Sequence, residues 1–206
     1  MNDIVSGYYR LCVSITKFAY LNLLWACFTI LGLFILGIMP ATVAMFAVVR
    51  KWILGDTEID IFRTFWTSYK KEFIKSNLIG LSLFLIGYLL TIEFQILRSQ
   101  DSIPYFIASY GVVGLFLIYF IILLYFFPLF VHFNLKFGQY FKWSFVIGIA
   151  HPILTIFLLT VICVMIYVTI RFSPALLFIF GGSVIAYVIM WGVAKTFSKY
   201  EEATEI

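Results

Sequence analysis

The sequence predicts an all-α fold: a polytopic helical membrane bundle of about five transmembrane helices plus a cytoplasmic interfacial amphipathic helix. Three observations predict it. Of 206 residues, 64% are hydrophobic and only 12% charged, with a mean hydropathy of +1.07. Soluble domains are about 45–50% apolar and about 25% charged. The apolar residues come in long unbroken blocks, not in the strict alternation of an outer-membrane barrel. Several of these blocks reach the roughly 20 residues that a helix needs to cross the hydrocarbon. An ordinary soluble enzyme, a disordered chain, a disulfide scaffold and a collagen-like fibre are excluded on the same grounds. The chain reads as a single membrane domain over residues 1–206.

Five blocks qualify as spans: about 18–39, 77–97, 105–131, 145–170 and 175–194. The first follows a segment carrying Arg10 and Lys17, and its apolar core is too long for a cleaved signal peptide, so it reads as a signal anchor. The second contains one charge, Glu93. Short connections at Arg98–Pro104 and Arg171–Pro174 make spans two and three, and spans four and five, tight antiparallel hairpins. Ser173 followed by Pro174 fits a helix start, with Ser as N-cap and Pro at the first helical position. Pro152, following His151 early in span four, predicts a bend there.

With five spans the connections alternate sides. One side carries Arg10, Lys17, Arg98 and Arg171, and the other carries the remaining ten Lys and Arg of the 14. The positive-inside rule then puts the N-terminus outside and the C-terminus in the cytoplasm of a bacterial plasma membrane.

The long cytoplasmic connection, about 40–76, reads as an interfacial segment. Pro40 ends the first span, and Ala41–Leu54 runs along the bilayer surface. Gly55-Asp56 breaks it, and Thr57 offers an N-cap with Asp60 three residues later. Next, Ile61, Phe62, Phe65, Trp66, Tyr69, Phe73 and Ile74 recur at three- and four-residue steps. Arg63, Lys70, Lys71 and Lys75 fill the other face, a pattern suited to the headgroup layer. Arg50, Lys51 and Trp52, with Arg63, Lys70 and Lys71, are the candidate interfacial or partner-docking residues. An anchor packed on the bundle and a docking surface for a cytoplasmic partner remain alternatives. Phe65, Tyr69, Lys70 and Phe73 find an echo 72 residues later in Phe137, Phe141, Lys142 and Phe145, which hints at a duplicated helix-plus-hairpin unit.

Polar residues inside a membrane are costly and are the default functional candidates. Here they are Glu93, His151 and Asn22. Glu93 lies about one turn from the end of its span, His151 is a potential proton carrier, and Asn22 is suited to bonding across to another helix. His132 ends the third span. The cysteines, Cys12, Cys27 and Cys163, are odd in number and lack a paired spacing, so they imply neither disulfides nor a metal site. The sequence contains no nucleotide-binding loop, nucleophile elbow, zinc-protease motif or pair of membrane-facing carboxylates. No catalytic residue, metal or cofactor is expected. The basic residues are too few and too close to the membrane for nucleic acid.

Asn22-Leu-Leu-Trp25, Gly37-Ile-Met-Pro40-Ala41-Thr42, Arg50-Lys51-Trp52 and Phe62-x-x-Phe65-Trp66-x-x-Tyr69-Lys70-x-x-Phe73 together resemble the YesL-like family of bacterial integral membrane proteins of unknown function. The resemblance covers about residues 18–80. Members of that family are typically encoded near carbohydrate uptake and degradation genes, often sugar importers of the ABC type. The resemblance therefore implies a non-enzymatic accessory or assembly partner of a carbohydrate ABC permease. A small autonomous transporter or channel for a sugar or ion, alone or as a homo-oligomer, is the alternative. A membrane enzyme using His151 or Glu93 is a third reading. Apart from the lipid bilayer, no partner is legible from the residues themselves.

Overall fold

In the computed structural model, which describes residues 2–172 and 181–197, the described residues form seven helices. They are α1 (Asn2–Leu31), α2 (Ile35–Ile53), α3 (Ile61–Arg98), α4 (Ile103–His132), α5 (Phe137–Ala150), α6 (Pro152–Phe172) and α7 (Gly182–Phe197). Five of them, α1 to α4 and α6, hold an apolar stretch of the length and composition typical of membrane helices. The Ser173–Pro174 helix start and the beginning of the fifth predicted span lie outside the described residues.

The largest departure from expectation is α2. The predicted first span, 18–39, is cut at Gly32, Leu33 and Phe34, where the chain reverses. Its last residues join 41–53 in α2, the most buried of the five long apolar helices. Ala41–Leu54 therefore does not run along the bilayer surface. Ala41, Val43, Ala44, Met45, Phe46, Val48 and Val49 are all buried, and a helix that is apolar all round belongs in an interior.

Pro40 does not end a span either, because it sits inside α2. Proline has no N–H to give the carbonyl four residues back, which here is Leu36 O. That carbonyl instead accepts from Asn77 Nδ2 on α3 at 3.0 Å. One side chain thus repairs the bond that Pro40 removes, as a helix in lipid requires.

Ile61–Arg98 is one uninterrupted helix of 38 residues, about 57 Å long at 1.5 Å per residue. The expected amphipathic segment is therefore the coaxial start of the second span and not a separate helix. Asp60, not Thr57, is its N-cap, accepting from Arg63 N at 3.0 Å. Phe65 and Tyr69 face inward and, with Phe62 and Trp66, surround the Phe28 ring at centroid distances of 5.1–6.4 Å.

The contacts give each helix a direction. Phe18 meets Trp52, and Trp25 Nε1 donates to Thr42 Oγ1, so α1 and α2 are antiparallel. Asn77 at Leu36 and Lys51 at Thr64 make α2 and α3 antiparallel. Tyr119 OH donates to Leu83 O, and Lys75 lies over Phe130, which confirms the α3–α4 hairpin. Tyr140 packs on Phe130, and Gly148 faces Ile121, so α5 returns along α4. At His151 the helix breaks with φ −123° and ψ 62°, and α6 begins at Pro152, where the bend was expected. Finally, Phe18 packs on Tyr187, and Asn22 bonds Ser183, so α7 runs antiparallel to α1.

One end of the bundle therefore gathers the start of α1, the 54–60 loop, the 133–136 connection and the end of α7. Lys17 belongs there: its Nζ donates to Thr57 O at 2.8 Å and pairs with Glu58 at 3.0 Å. Counting five spans placed Lys17 and the 40–76 segment on opposite sides. The unrecognised reversal at Gly32–Phe34 is the reason, because it adds a turn of direction.

Candidate functional site

The cations of this end share a pattern. Lys70 lies over the Trp66 ring at 4.7 Å, Lys195 over Trp191 at 3.5 Å, and Lys75 over Phe130 and Tyr140 at 5.1 and 5.0 Å. Arg50 Nε donates to His132 Nδ1 at 3.2 Å, and the His132 ring stacks 4.4 Å from Phe197. Two of the cations at this end pair with carboxylates, Lys17 with Glu58 and Lys71 with Glu72 at 3.9 Å. Cations held over aromatic faces keep their charge available to an incoming anion, and each contact contributes about 0.5–1 kcal/mol at exposed sites.

Two of these constellations escaped sequence reasoning. Arg50 and His132 are 82 residues apart, and Lys75 and Tyr140 are 65 apart. The fully buried Tyr140 hydroxyl accepts from Lys75 Nζ and Leu135 N, and donates to Phe133 O, each at 3.1 Å. It thereby closes the α4–α5 turn. Its sequence signal was weak, one tyrosine among many aromatics.

The candidate docking residues separate into two groups. Arg50 and Trp52 are half-buried in the bundle, Trp52 edge-on to Phe18 at 5.4 Å. Lys51, Arg63, Lys70 and Lys71 are exposed, with Phe62 and Trp66 exposed beside them.

The three intramembrane candidates fall on different parts of the bundle. Asn22 is buried in the α1–α7 seam, where its Oδ1 accepts from Ser183 N at 3.0 Å. Asn22 thus bonds the main chain of α7 directly. Its role is to join helices. His151 is the joint between α5 and α6. Its N–H donates to Ile147 O, and its carbonyl receives Thr155 N at 3.0 Å. The Thr155 hydroxyl lies 2.8 Å from Tyr125 OH and 2.9 Å from Gly148 O, tying the joint to α4. His151 also lines an open cavity of about 530 Å³ with Trp191, Lys195 and apolar residues of α6. Glu93 is exposed near the far end of α3.

A second cavity, of about 350 Å³, lies among α1, α2, α4, α6 and α7. Its lining is almost wholly apolar, and its two polar groups, Trp25 and Thr42, bond each other. Among the described residues, no group of three or more His, Cys, Asp or Glu is placed to hold a metal. The arrangement can present positive charge and aromatic surface at one end, and it can bury apolar groups within.

A family model described as "Protein of unknown function, DUF624" matches residues 18–94, which contain α2 and almost all of α3. The likeness extends well beyond that segment. YteU of Bacillus subtilis (strain 168), an uncharacterised protein, is 37% identical over 193 residues, covering 94% of this chain and 86% of YteU. The chain belongs to the YesL-like DUF624 family. Two further uncharacterised proteins of the same bacterium agree. YesV is 32% identical over 96% of this chain and 95% of its own, and YesL is 30% identical over 100% and 96%. No solved structure matches. The elements central to the DUF624 segment are the Gly32–Phe34 elbow, the α2 core helix and the Pro40–Asn77 repair.

Proposed function

We propose that this DUF624 protein is a non-enzymatic membrane assembly partner in carbohydrate uptake, docking on a carbohydrate ABC permease through the first four turns of α3. The observation that carries this reading is the exposed surface of Phe62, Arg63, Trp66, Lys70 and Lys71. It stands on the stiff start of a helix whose uncharged stretch begins only at Ser76. Aromatic and basic residues on a rigid element suit a partner with an acidic juxtamembrane face. The link to carbohydrate uptake comes from the family resemblance. The apolar cavity among α1, α2, α4, α6 and α7 favours a partner role over an autonomous sugar carrier, since it offers sugar hydroxyls almost no hydrogen-bonding group.

The test is co-purification from native membranes in mild detergent. Lys70→Glu with Lys71→Glu is expected to cut recovery of the permease at least about tenfold while the bundle still elutes as a single folded species. Equal recovery of the permease with wild type and double variant overturns the reading.

The basic end is assigned to the cytoplasm of a bacterial plasma membrane. Among the described residues, Arg98 and Arg171 are the two cations at the opposite end, against eleven at this one. This asymmetry is steeper than the count that assumed five spans, and it supports placing both the start of α1 and the end of α7 inside. Reporter fusions read it directly. A cytoplasm-active reporter is expected to be functional at either terminus, and activity of a periplasm-dependent reporter at the N-terminus overturns the assignment.

A further inference from the structure

We infer that the α1–α2 hairpin is re-entrant: its elbow ends within the bilayer hydrocarbon and contacts acyl chains, and the hairpin does not cross to the other face. Three independent observations lead there.

The first is length. Lys17 is tied to Thr57 and Glu58, and Arg50 to His132, so both arms are anchored at the basic end. From Phe18 to Leu31 and from Ile35 to Val49 no residue is charged. At 1.5 Å per residue these arms rise about 21–22 Å, and they pack beside the charged first turns of α3, Leu36 reaching only Asn77 at the start of its uncharged stretch, so the elbow stops well short of the far side of the roughly 30 Å of hydrocarbon. Tilt shortens their reach further. By contrast, the uncharged run Ile103–Val131 of α4 is more than long enough to cross.

The second is the chemistry of the elbow. Leu31, Leu33, Phe34, Ile35 and Leu36 are 51–82% exposed, and with Gly32 they leave no polar side chain at the tip. The other described turns carry Asp56, Thr57 and Glu58, or Ser99, Gln100 and Asp101, or Asn134 and Lys136. Leu33 and Phe34 even hold φ of 56° and 61°, a conformation that glycine or asparagine adopts more cheaply. Water-facing turns use those residues; bulky apolar ones there point to lipid.

The third is the backbone. Open N–H and C=O groups are not tolerated in hydrocarbon. At this elbow Gly32 N donates to Phe28 O, Leu33 N to Ile30 O, Phe34 N to Thr29 O and Ile35 N to Leu33 O, at 2.7–3.1 Å. From α3, Tyr69 OH reaches Phe28 O and Asn77 reaches Leu36 O. The turn is closed on itself and sealed by its neighbour.

The experiment uses the full-length protein with Cys12, Cys27 and Cys163 replaced by Ser and single cysteines introduced at Leu33, Thr57 or Asp101. A membrane-impermeant maleimide is applied to intact cells and to inverted vesicles. Thr57→Cys and Asp101→Cys are expected to label from opposite faces, and Leu33→Cys from neither until detergent is added. A nitroxide attached at Leu33→Cys is expected to be accessible to dissolved oxygen and shielded from a water-soluble nickel chelate. Labelling of Leu33→Cys from the Asp101 face means that the hairpin crosses, and labelling from the Thr57 face means that the elbow leaves the membrane. Shielding from both oxygen and nickel means that protein covers it. Each of these three results overturns the inference, and none depends on the permease partner.

Discussion

Gly37→Leu is expected to abolish recovery of a folded, monodisperse protein. A Cβ built on Gly37 collides with Thr29 O and comes within 2.7 Å of Phe28 O and 2.9 Å of Thr29 Cα. These are main-chain atoms of the facing helix and cannot swing aside. Gly32 has the reciprocal problem, because its Cβ would strike Gly37 Cα. Overpacking typically costs about 1–3 kcal/mol and occasionally more. With backbone as the obstacle, the elbow must open, and on the order of 3 kcal/mol or above is expected. The loss should spread, since α2 carries the buried centre of the bundle. Gly111→Leu is the control, for nothing lies within 4 Å of its Cβ. Size-exclusion chromatography of detergent extracts reads both. A Gly37→Leu protein that elutes and melts like wild type refutes the elbow geometry.

The second large effect is expected at Tyr140. Tyr140→Phe keeps the ring and removes the hydroxyl shared by Lys75, Leu135 N and Phe133 O. Stranding a buried donor costs about 1–3 kcal/mol. Tyr140→Ala also empties the space beside Phe126 and Phe130, and large aromatic truncations cost about 3–5 kcal/mol. The thermal midpoint in detergent should therefore fall in the order wild type, Tyr140→Phe, Tyr140→Ala. Lys75→Met should resemble the milder variant, because it removes one of the three bonds and leaves the turn closed. Equal midpoints for Tyr140→Phe and wild type would show that the hydroxyl network contributes nothing.

Much of the fold was legible because hydropathy and proline act locally. The α4 helix, the α3–α4 hairpin and the joint at His151 all follow from runs of apolar residues and the loss of one N–H. The elbow at Gly32–Phe34 was not legible. It is made of leucine, phenylalanine and isoleucine, with one glycine and none of the usual turn residues, so an apolar count runs straight through it. Pro40 then misdirected the reading, since its repair by Asn77 lies 37 positions away. A signal was present nonetheless: Ala41 to Val49 is small or apolar on every face, the mark of an interior helix. At the basic end the exposed cations were readable as a stripe. The Arg50–His132 and Lys75–Tyr140 pairs were not, because they join separate helices.

The unbroken α3 has a mechanical consequence. Its first turns carry the exposed basic and aromatic residues, and its last turn carries Arg98, with no proline or glycine-induced kink between them. Such a rod transmits rotation. Pivoting it by about 5° displaces the far end by about 5 Å over its roughly 57 Å length. The α5–α6 pair, nearly as long, is interrupted at the His151 joint. The protein therefore holds a stiff lever beside a jointed one, and α3 is a continuous rod from the basic end of the bundle to the opposite end.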